Sequence, residues 1–509
     1  MRPFALLLLA TAAAFAPSAT GQSTASIATC GAPRFEASDF NPGGDADRGW
    51  PGGVSVADVN GDGALDIFIT GGYDYVDGQM PHPVRSMLYL NDGRGHFTRD
   101  ETSPISNGDT FASGSAWADV DHDGDLDAFV STELGQADAF YRNLGHGQMH
   151  REPLGDATTT RGANYSTSWA DIDGDGDLDL FVNGPALEPP GTNLAYRNDN
   201  GQFGRVTGIA IENGMSNPSA SEWADFNNDG RPDLFVANNS LWRIQNFPPG
   251  PGEFETSRLY LNRGNWSFEL APHQAFDNAD FPGGTAAIGD VDNDGDLDIF
   301  LGVYAYNSRK RDRLFLNDGH GQFGEAVDFV VPEHDQPTQS AALADFNSDG
   351  NLDLIYAVWN GGITLMAGDG HGHFTAVNDP ALSGRVSSFS SLAVGDFDGD
   401  GLPDAMIGNW TDSHDGRFPL MLHNVSAHCG DWIDITVKDR FGAPNPPGAR
   451  VTLITRDAHG HERRQLREAN TQSGFRSQSA SFFLFGIPRG ERIVRAQVRW
   501  PDGRTRTLR

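Results

Sequence analysis

A chain of 509 residues has room for one large domain with a smaller one beside it. Its 69 acidic and 36 basic residues give a net charge of −33, which disfavours nucleic acid and anionic membrane surfaces as partners. The charge is uneven: residues 430–509 hold 15 Lys and Arg against 8 Asp and Glu, a net of +7, which leaves −40 on the first 429 residues.

In chain order, residues 1–21 read as a secretory signal peptide. An apolar run from Phe4 to about Ala16 follows Met1-Arg2-Pro3, and Ala19 and Gly21 are the small residues expected before cleavage at Gln22. The run is too short to span a bilayer, and no later stretch is apolar enough to do so. The mature chain is expected to be secreted, or periplasmic in a Gram-negative source.

The only cysteines, Cys30 and Cys429, are free to pair in an oxidising compartment. The rival reading, a lipid on Cys30, fits less well: the apolar core ends well before it, and Thr29 is a poor neighbour for lipid attachment.

From Asp58 onward one nine-residue template recurs. Its copies are Asp58–Asp66 (DVNGDGALD), Asp119–Asp127 (DVDHDGDLD), Asp171–Asp179 (DIDGDGDLD), Asp225–Asp233 (DFNNDGRPD), Asp290–Asp298 (DVDNDGDLD), Asp345–Asp353 (DFNSDGNLD) and Asp396–Asp404 (DFDGDGLPD). Successive copies start 61, 52, 54, 65, 55 and 51 residues apart. Small and apolar residues precede each, as in Ser115-Ala116-Trp117-Ala118, and a short apolar run such as Ile67-Phe68-Ile69 follows. A third strand and a Gly turn then recur, as in LYLNDGRGHF from Leu88 and LFLNDGHGQF from Leu314. Four short antiparallel strands per unit is the pattern of a propeller blade. The expected fold is all-β: a seven-bladed β-propeller over residues 22–429, with a small β domain over 430–509. A solenoid of hairpins is the structural rival.

The ends supply a closing device. The seventh unit stops after its third strand, Leu420–Asn424, and the missing strand resembles Phe35–Phe40. Cys429 lies five residues after Asn424 and Cys30 five before Phe35, so a Cys30–Cys429 bond replaces the missing turn. Closing so long a loop constrains the unfolded chain by about 5 kcal/mol in the chain-entropy model.

The loops offer oxygen ligands at positions 1, 3, 5 and 9, with the backbone carbonyl of position 7 and a Gly at position 6 for the sharp bend. The candidate ligands are Asp58, Asn60, Asp62 and Asp66; Asp119, Asp121, Asp123 and Asp127; Asp171, Asp173, Asp175 and Asp179; Asp225, Asn227, Asp229 and Asp233; Asp290, Asp292, Asp294 and Asp298; Asp345, Asn347, Asp349 and Asp353; and Asp396, Asp398, Asp400 and Asp404. All-oxygen donors favour Ca²⁺ over Mg²⁺ and argue against Zn²⁺. An EF-hand is excluded because position 12 of the first loop is Ile69. A single such loop would pass for a solvated turn, but seven in phase do not. Up to seven structural Ca²⁺ ions are expected, each stabilising by about 1.4 kcal/mol at millimolar calcium and a dissociation constant near 10⁻⁴ M.

These loops and their flanks, over residues 35–425, resemble the FG-GAP or VCBS repeats of integrin α-subunit propellers and exported bacterial proteins. In those relatives the loop joins the first two strands of a blade and holds Ca²⁺. The tail resembles the ASPIC/UnbV domain of cartilage acidic protein-like proteins through Gly448-Ala449-Arg450-Val451, Ser473-Gly474-Phe475-Arg476-Ser477-Gln478, Phe485-Gly486 and Val498-Arg499-Trp500-Pro501-Asp502-Gly503. Pro488 stands where that pattern has Gly. The resemblance implies adhesion or matrix interaction.

Antiparallel strands put the metal loops and Gly turns on one face and the longer second-to-third-strand loops on the other. Aromatic residues on those longer loops mark a candidate surface for extracellular glycan or protein: Tyr73, Tyr75, His82, Trp242, Tyr304, Tyr306 and Trp410. The alternative is that they pack the loops onto the disc. Trp117, Trp169 and Trp223, each two residues before a metal loop, read as packing between blades. Arg463, Arg464 and Arg467 read as docking the basic tail onto the acidic body. No G-x-S-x-G, H-E-x-x-H or phosphate-binding loop is present. The leading function is a non-catalytic binding or adhesion module. The alternative is a polysaccharide lyase or glycosidase whose acid and base come from separate blades.

Overall fold

Short apolar runs bounded by Asp-Gly turns form strands throughout. The computed structural model describes residues 30–42, 52–74, 82–106, 110–184, 193–212, 218–238, 256–277, 281–304, 311–409 and 419–509. Among these there is no α-helix, only 3-10 turns at Pro104–Ser106, Gly155–Thr158 and Ala210–Glu212, and no helix is long and apolar enough to cross a membrane. The leader at 1–21, Tyr75, Trp242, Tyr306 and Trp410 lie outside the described residues.

Each repeat is an antiparallel meander. The first runs Val54–Ala57, Asp66–Ile69, Met87–Asn91, Phe97–Asp100 from inside to outside. Four more four-stranded sheets start from the inner strands Ala112–Ala118, Ser166–Ala170, Pro218–Ala224 and Gly283–Gly289. An eight-stranded sheet comprises two further meanders, starting from Thr338–Ala344 and Ser387–Gly395 and bridged where Trp359 pairs with Ser388. The inner strands touch one another in chain order and the last touches the first, which makes the assembly a closed propeller.

Composition follows radius. Inner strands converge on the axis and carry small residues, as in ASGSAWA and GGTAAIG. Second strands are buried on both faces and carry branched and aromatic ones, such as Ile67, Phe68 and Ile69. Outer strands are largely exposed, as in FEL at Phe268–Leu270. Between meanders, Trp117 meets Phe68, Trp169 meets Phe129 and Trp223 meets Phe181 edge to face, with centroids 5.5, 6.1 and 5.8 Å apart.

The ends close as the sequence implies. Phe35–Asp39 pairs antiparallel with Leu420–Asn424, Phe35 opposite Asn424, and Cys30 is bonded to Cys429 with Cα atoms 5.1 Å apart. Phe35–Asp39 ends its sheet beyond Leu420–Asn424, so the last meander is completed by a strand from the other end of the chain.

The tail forms a two-stranded pair, Gly430–Asp434 with Leu484–Pro488, and a four-stranded sheet ordered Glu462–Glu468, Arg450–Arg456, Arg492–Arg499, Thr505–Leu508. Val451, Leu453, Phe483, Phe485, Val498 and Trp500 belong to its own core. One segment leaves this core and enters the propeller axis: residues 471–480, which contain the Ser473–Gln478 motif. Gln478 pairs through its backbone with Val54 and Val56, while its side-chain amide caps the N–H and C=O of Trp117 at 2.7 and 3.2 Å. Thr471 Oγ1 does the same for Trp169 at 2.7 and 3.0 Å. The Gly474 N–H donates to Glu222 at 2.8 Å, and Leu392 and Val394 donate to Ser477 and Ser479, both at 3.1 Å. Arg476 is paired with Glu133 and lies over the Tyr165 ring. Its carbonyl would sit 2.0 Å from any Cβ at Gly53, so that position admits only glycine. The segment thus satisfies inner-strand polar groups that no neighbouring strand reaches.

Candidate metal centres

Each Asp-rich loop is folded by its own carboxylates. In the first, Asp58 accepts the N–H of Asp62 at 3.1 Å and of Gly63 at 3.0 Å, and Asp62 accepts that of Ala64 at 2.9 Å. The fourth loop repeats all three contacts through Asp225 and Asp229, and the sixth through Asp345 and Asp349. The Gly at position 6 has φ between 83° and 98° in every copy, as the sequence requires. Position 4 is left-handed too, even where it is His122, Asn228, Asn293 or Ser348.

Position 9 is a buried staple. Asp66 accepts the N–H of Val59 at 2.9 Å and of Asn91 on the third strand at 2.8 Å. Asp298 binds Val291 and Asn317, and Asp404 binds Phe397 and Asn424, in the same way. The third-strand Asn then reaches across to the preceding meander's loop: Asn91 Nδ2 to Phe397 O, Asn143 to Val59 O, Asn262 to Ile172 O, Asn317 to Phe226 O and Asn424 to Phe346 O, each at 2.8 or 2.9 Å. Sequence reasoning passed over these asparagines, although their recurrence in LYLND, LYLNR and LFLND was the available signal.

Three carboxylates converge within 4.8 Å in four loops: Asp119, Asp121 and Asp123; Asp171, Asp173 and Asp179; Asp290, Asp292 and Asp294; and Asp396, Asp398 and Asp404. These are the copies with Asp at position 3. In the first, fourth and sixth copies Asn60, Asn227 and Asn347 stand there, and their Oδ1 atoms accept the position-5 N–H.

Burial dominates the electrostatics. It pushes Asp119, Asp171 and Asp345 up to about 6, Asp66, Asp290 and Asp396 to about 7, Asp127 and Asp233 to about 8, and Asp179 to about 9; neighbouring loop carboxylates add to the effect. Asp298 and Asp353 are raised well above the ordinary carboxylate range for the same reason. Both oxygens of buried Asp290 and one of Asp173 lack a hydrogen-bond partner. Buried oxygens in that state, among all-oxygen donors, fit a hard divalent cation such as Ca²⁺.

Basic side chains lie on some loops and not others. Arg142 contacts Asp121 at 2.5 Å and Asp127 at 3.2 Å; Arg197 contacts Asp173 at 3.1 Å; His423 contacts Asp404 at 3.2 Å. All three sit one residue before the third-strand Asn, where the first, fourth and fifth units carry Leu90, Leu261 and Leu316. The hydrogen bond that His423 donates to Asp404 is the main cause holding its pKa up at about 9.

The tail covers the fourth, fifth and sixth loops. Arg499 contacts Asp225 at 2.6 Å, and Arg450 donates to Asn228 and to Asp225 O at 2.6 and 2.7 Å. Arg464 donates to Asp294 O at 3.1 Å and Arg463 to Asn351 at 2.7 Å, while half-buried Arg467 feels both Asp345 and Asp290. The docking expected of Arg463, Arg464 and Arg467 is therefore what the molecule does. Between the tail and the first, second, third and seventh loops a cleft of about 640 Å³ remains, lined by Asp58, Asp119, Lys438, Arg440, Phe441 and Trp500 among others.

Of the aromatic-loop candidates, Tyr73 lies in the short strand Tyr73–Asp74, which pairs with His82–Pro83, and His82 is exposed. Tyr304 is a correction to the surface expectation. It is 6% exposed, its N–H donates to Pro282 O, and its ring packs beside Gly284, because the strand before it carries it into the interior.

Residues 186–236, 251–301, 303–356 and 345–407 match the FG-GAP-like repeat, and residues 441–509 match the ASPIC and UnbV family. Cartilage acidic protein 1 of Mus musculus is 24% identical over 472 residues, covering 77% of this chain and 70% of that protein. Its Homo sapiens counterpart is 23% identical, covering 77% and 69%. Among solved structures, the Dos1 propeller superposes with a TM-score of 0.43 at 9% identity, covering 78% of this chain and 96% of that one.

Proposed function

We propose, for a chain that carries FG-GAP-like repeats ahead of an ASPIC and UnbV region, a secreted, seven-bladed, calcium-stabilised propeller that presents a non-catalytic binding surface for extracellular glycan or protein. The observation that carries calcium is the repeated oxygen cage: a position-9 carboxylate buried and pushed up by burial in every unit, with both Asp290 oxygens unsatisfied. Residues 22–429 form the propeller, 430–509 the capping β domain, and 1–21 the leader removed on export.

In each loop the side chains at positions 1, 3, 5 and 9 and the carbonyl at position 7 would hold the ion. Calcium supplies the charge that lets these carboxylates ionise while buried. The tail occupies much of the metal face, which favours ligand capture on the opposite face around His82 and the aromatic loops near Tyr73, Tyr75, Trp242, Tyr306 and Trp410. Cartilage acidic protein 1 is similar over most of the chain, in keeping with an extracellular setting. Glycan-array and matrix-protein binding with chemically unchanged ligand is the expected outcome. New unsaturated or reducing ends would overturn the non-catalytic reading. Chelation should lower Tm by many degrees, and an unchanged melt would refute structural calcium.

A further inference from the structure

The sixth metal loop is enclosed as the others are not. Asp345, Asn347, Ser348 and Asp353 are 5%, 3%, 1% and 0% exposed. In the first loop the corresponding tip, Gly61, Asp62 and Gly63, is exposed. Three separate segments form the cover. From the tail's edge strand, Gln465 Nε2 lies 3.2 Å from where a Cβ on Gly350 would stand, and Arg463 holds Asn351 at 2.7 Å. From the strand Leu484–Pro488, a Cβ on Gly486 would stand 2.2 Å from Asp345 Oδ2, and Pro488 packs on Gly350. From the disulfide, Cys429 N–H donates to Asn347 O at 2.7 Å, Asn347 Nδ2 donates to Gly31 O at 3.2 Å, and Cys30 Sγ lies 3.9 Å from Asp349 Oδ2. Next to the bridge, His428 Nδ1 and Ser348 Oγ are 2.9 Å apart.

We infer that the sixth loop holds a locked ion: a calcium that enters before the tail docks and the Cys30–Cys429 bond forms, and that exchanges only slowly while both are in place. The inference rests on the calcium reading above and adds to it that the sites divide by exchange rate. The first, second, third and seventh loops face the cleft and exchange with solvent. For the sixth, release requires local opening of tail contacts and of a covalent clamp. Such sub-global opening is slow when its free energy is a few kcal/mol. About 100-fold slower release than from the open loops corresponds to about 2.8 kcal/mol.

The test uses the full mature chain purified in calcium, held in excess EGTA without denaturant, and measured by elemental mass spectrometry over time. With the disulfide intact, one equivalent should remain after the rest has left, and dithiothreitol should release it. Asp349→Asn should abolish the slow equivalent, whereas Asp58→Asn should remove one fast equivalent and leave the slow one. If the Cys30→Ser/Cys429→Ser variant folds, it should show no slow phase; if it does not fold, reduction of the native protein gives the same readout. A chain that carries no calcium before chelation refutes the underlying metal reading. Calcium that leaves in a single phase, or a slow ion that survives Asp349→Asn, refutes the lock alone.

Discussion

The first and sixth Asp-rich loops share one template, with Asn at position 3 and the same internal hydrogen bonds, yet they occupy opposite environments. Asp62 is exposed at its loop tip, whereas Ser348 and Asn347 are buried under the tail and the disulfide. Burial pushes Asp66 up to about 7 in the open loop but lifts Asp353 well beyond the ordinary carboxylate range in the covered one. Nine residues thus dictate a loop's shape, while segments hundreds of residues away set its electrostatics. A coarser division separates the first, second, third and seventh loops, which face a cleft, from the fourth to sixth, which Arg450, Arg499, Arg464 and Arg463 of the tail contact.

The largest expected effect comes from removing metal and varying pH. Carboxylates with folded pKa values of about 7 to about 9, against an ordinary 3.8, favour their protonated form in the fold. Their contribution to metal-free stability is fully present below about pH 4 and is lost as pH rises through 7 to 9. Metal-stripped protein should therefore melt at a higher temperature at pH 5 than at pH 8.5, and the gain in Tm on adding calcium should be larger at pH 8.5. Calorimetry at the two pH values checks both, and the opposite order would mean that the loop carboxylates are already ionised without metal.

The covered side can be probed through Arg467. Its side chain is half-buried; burial disfavours the ionised form, and Asp345 and Asp290 favour it. Arg467→Met takes the nearest tail charge away from those carboxylates, an effect of roughly 2 kcal/mol at an effective dielectric near 20. Chemical denaturation should give that loss in low calcium and a smaller one when calcium saturates the fifth and sixth loops. An equal loss at both calcium levels would uncouple the tail from the metal.

Repeats, ring closure, the Cys30–Cys429 pairing and the packing of Trp117, Trp169 and Trp223 between meanders were legible because each is periodic or lies at a fixed offset from something periodic. The axial segment was not. Its key contact joins Gln478 to Trp117, 361 residues apart, and nothing in SGFRSQS announces that its amide will cap an inner strand. The cover on the sixth loop was hidden for the same reason. Tyr304 was misread because a strand-end aromatic looks the same whether it turns inward or outward. Gln478→Ala strips the caps from the buried N–H and C=O of Trp117, each left unsatisfied at about 1–3 kcal/mol. Denaturation should show a loss of that order, and hydrogen exchange should quicken first at the Trp117 amide.

The smallest effect concerns the open side. Arg142, 17% exposed, reaches two ligand carboxylates of the second loop, whereas Leu261 and Leu316 occupy its place in the fourth and fifth units. A guanidinium so close to a site must repel an incoming divalent ion, but it also offsets an additional carboxylate, Asp121, that the first, fourth and sixth loops lack. Partial exposure screens both terms, which leaves roughly 1 kcal/mol between them. If repulsion of the ion is the larger, Arg142→Leu tightens calcium at the second loop by about 5-fold and weakens metal-free stability slightly, since Asp119, Asp121 and Asp123 then repel without relief. Calorimetric titration should show the tightening fade at 0.5 M salt. A loosening instead would mean that Arg142 preorganises the loop for its ion, and the basic residues on the second, third and seventh loops would then be positioning groups.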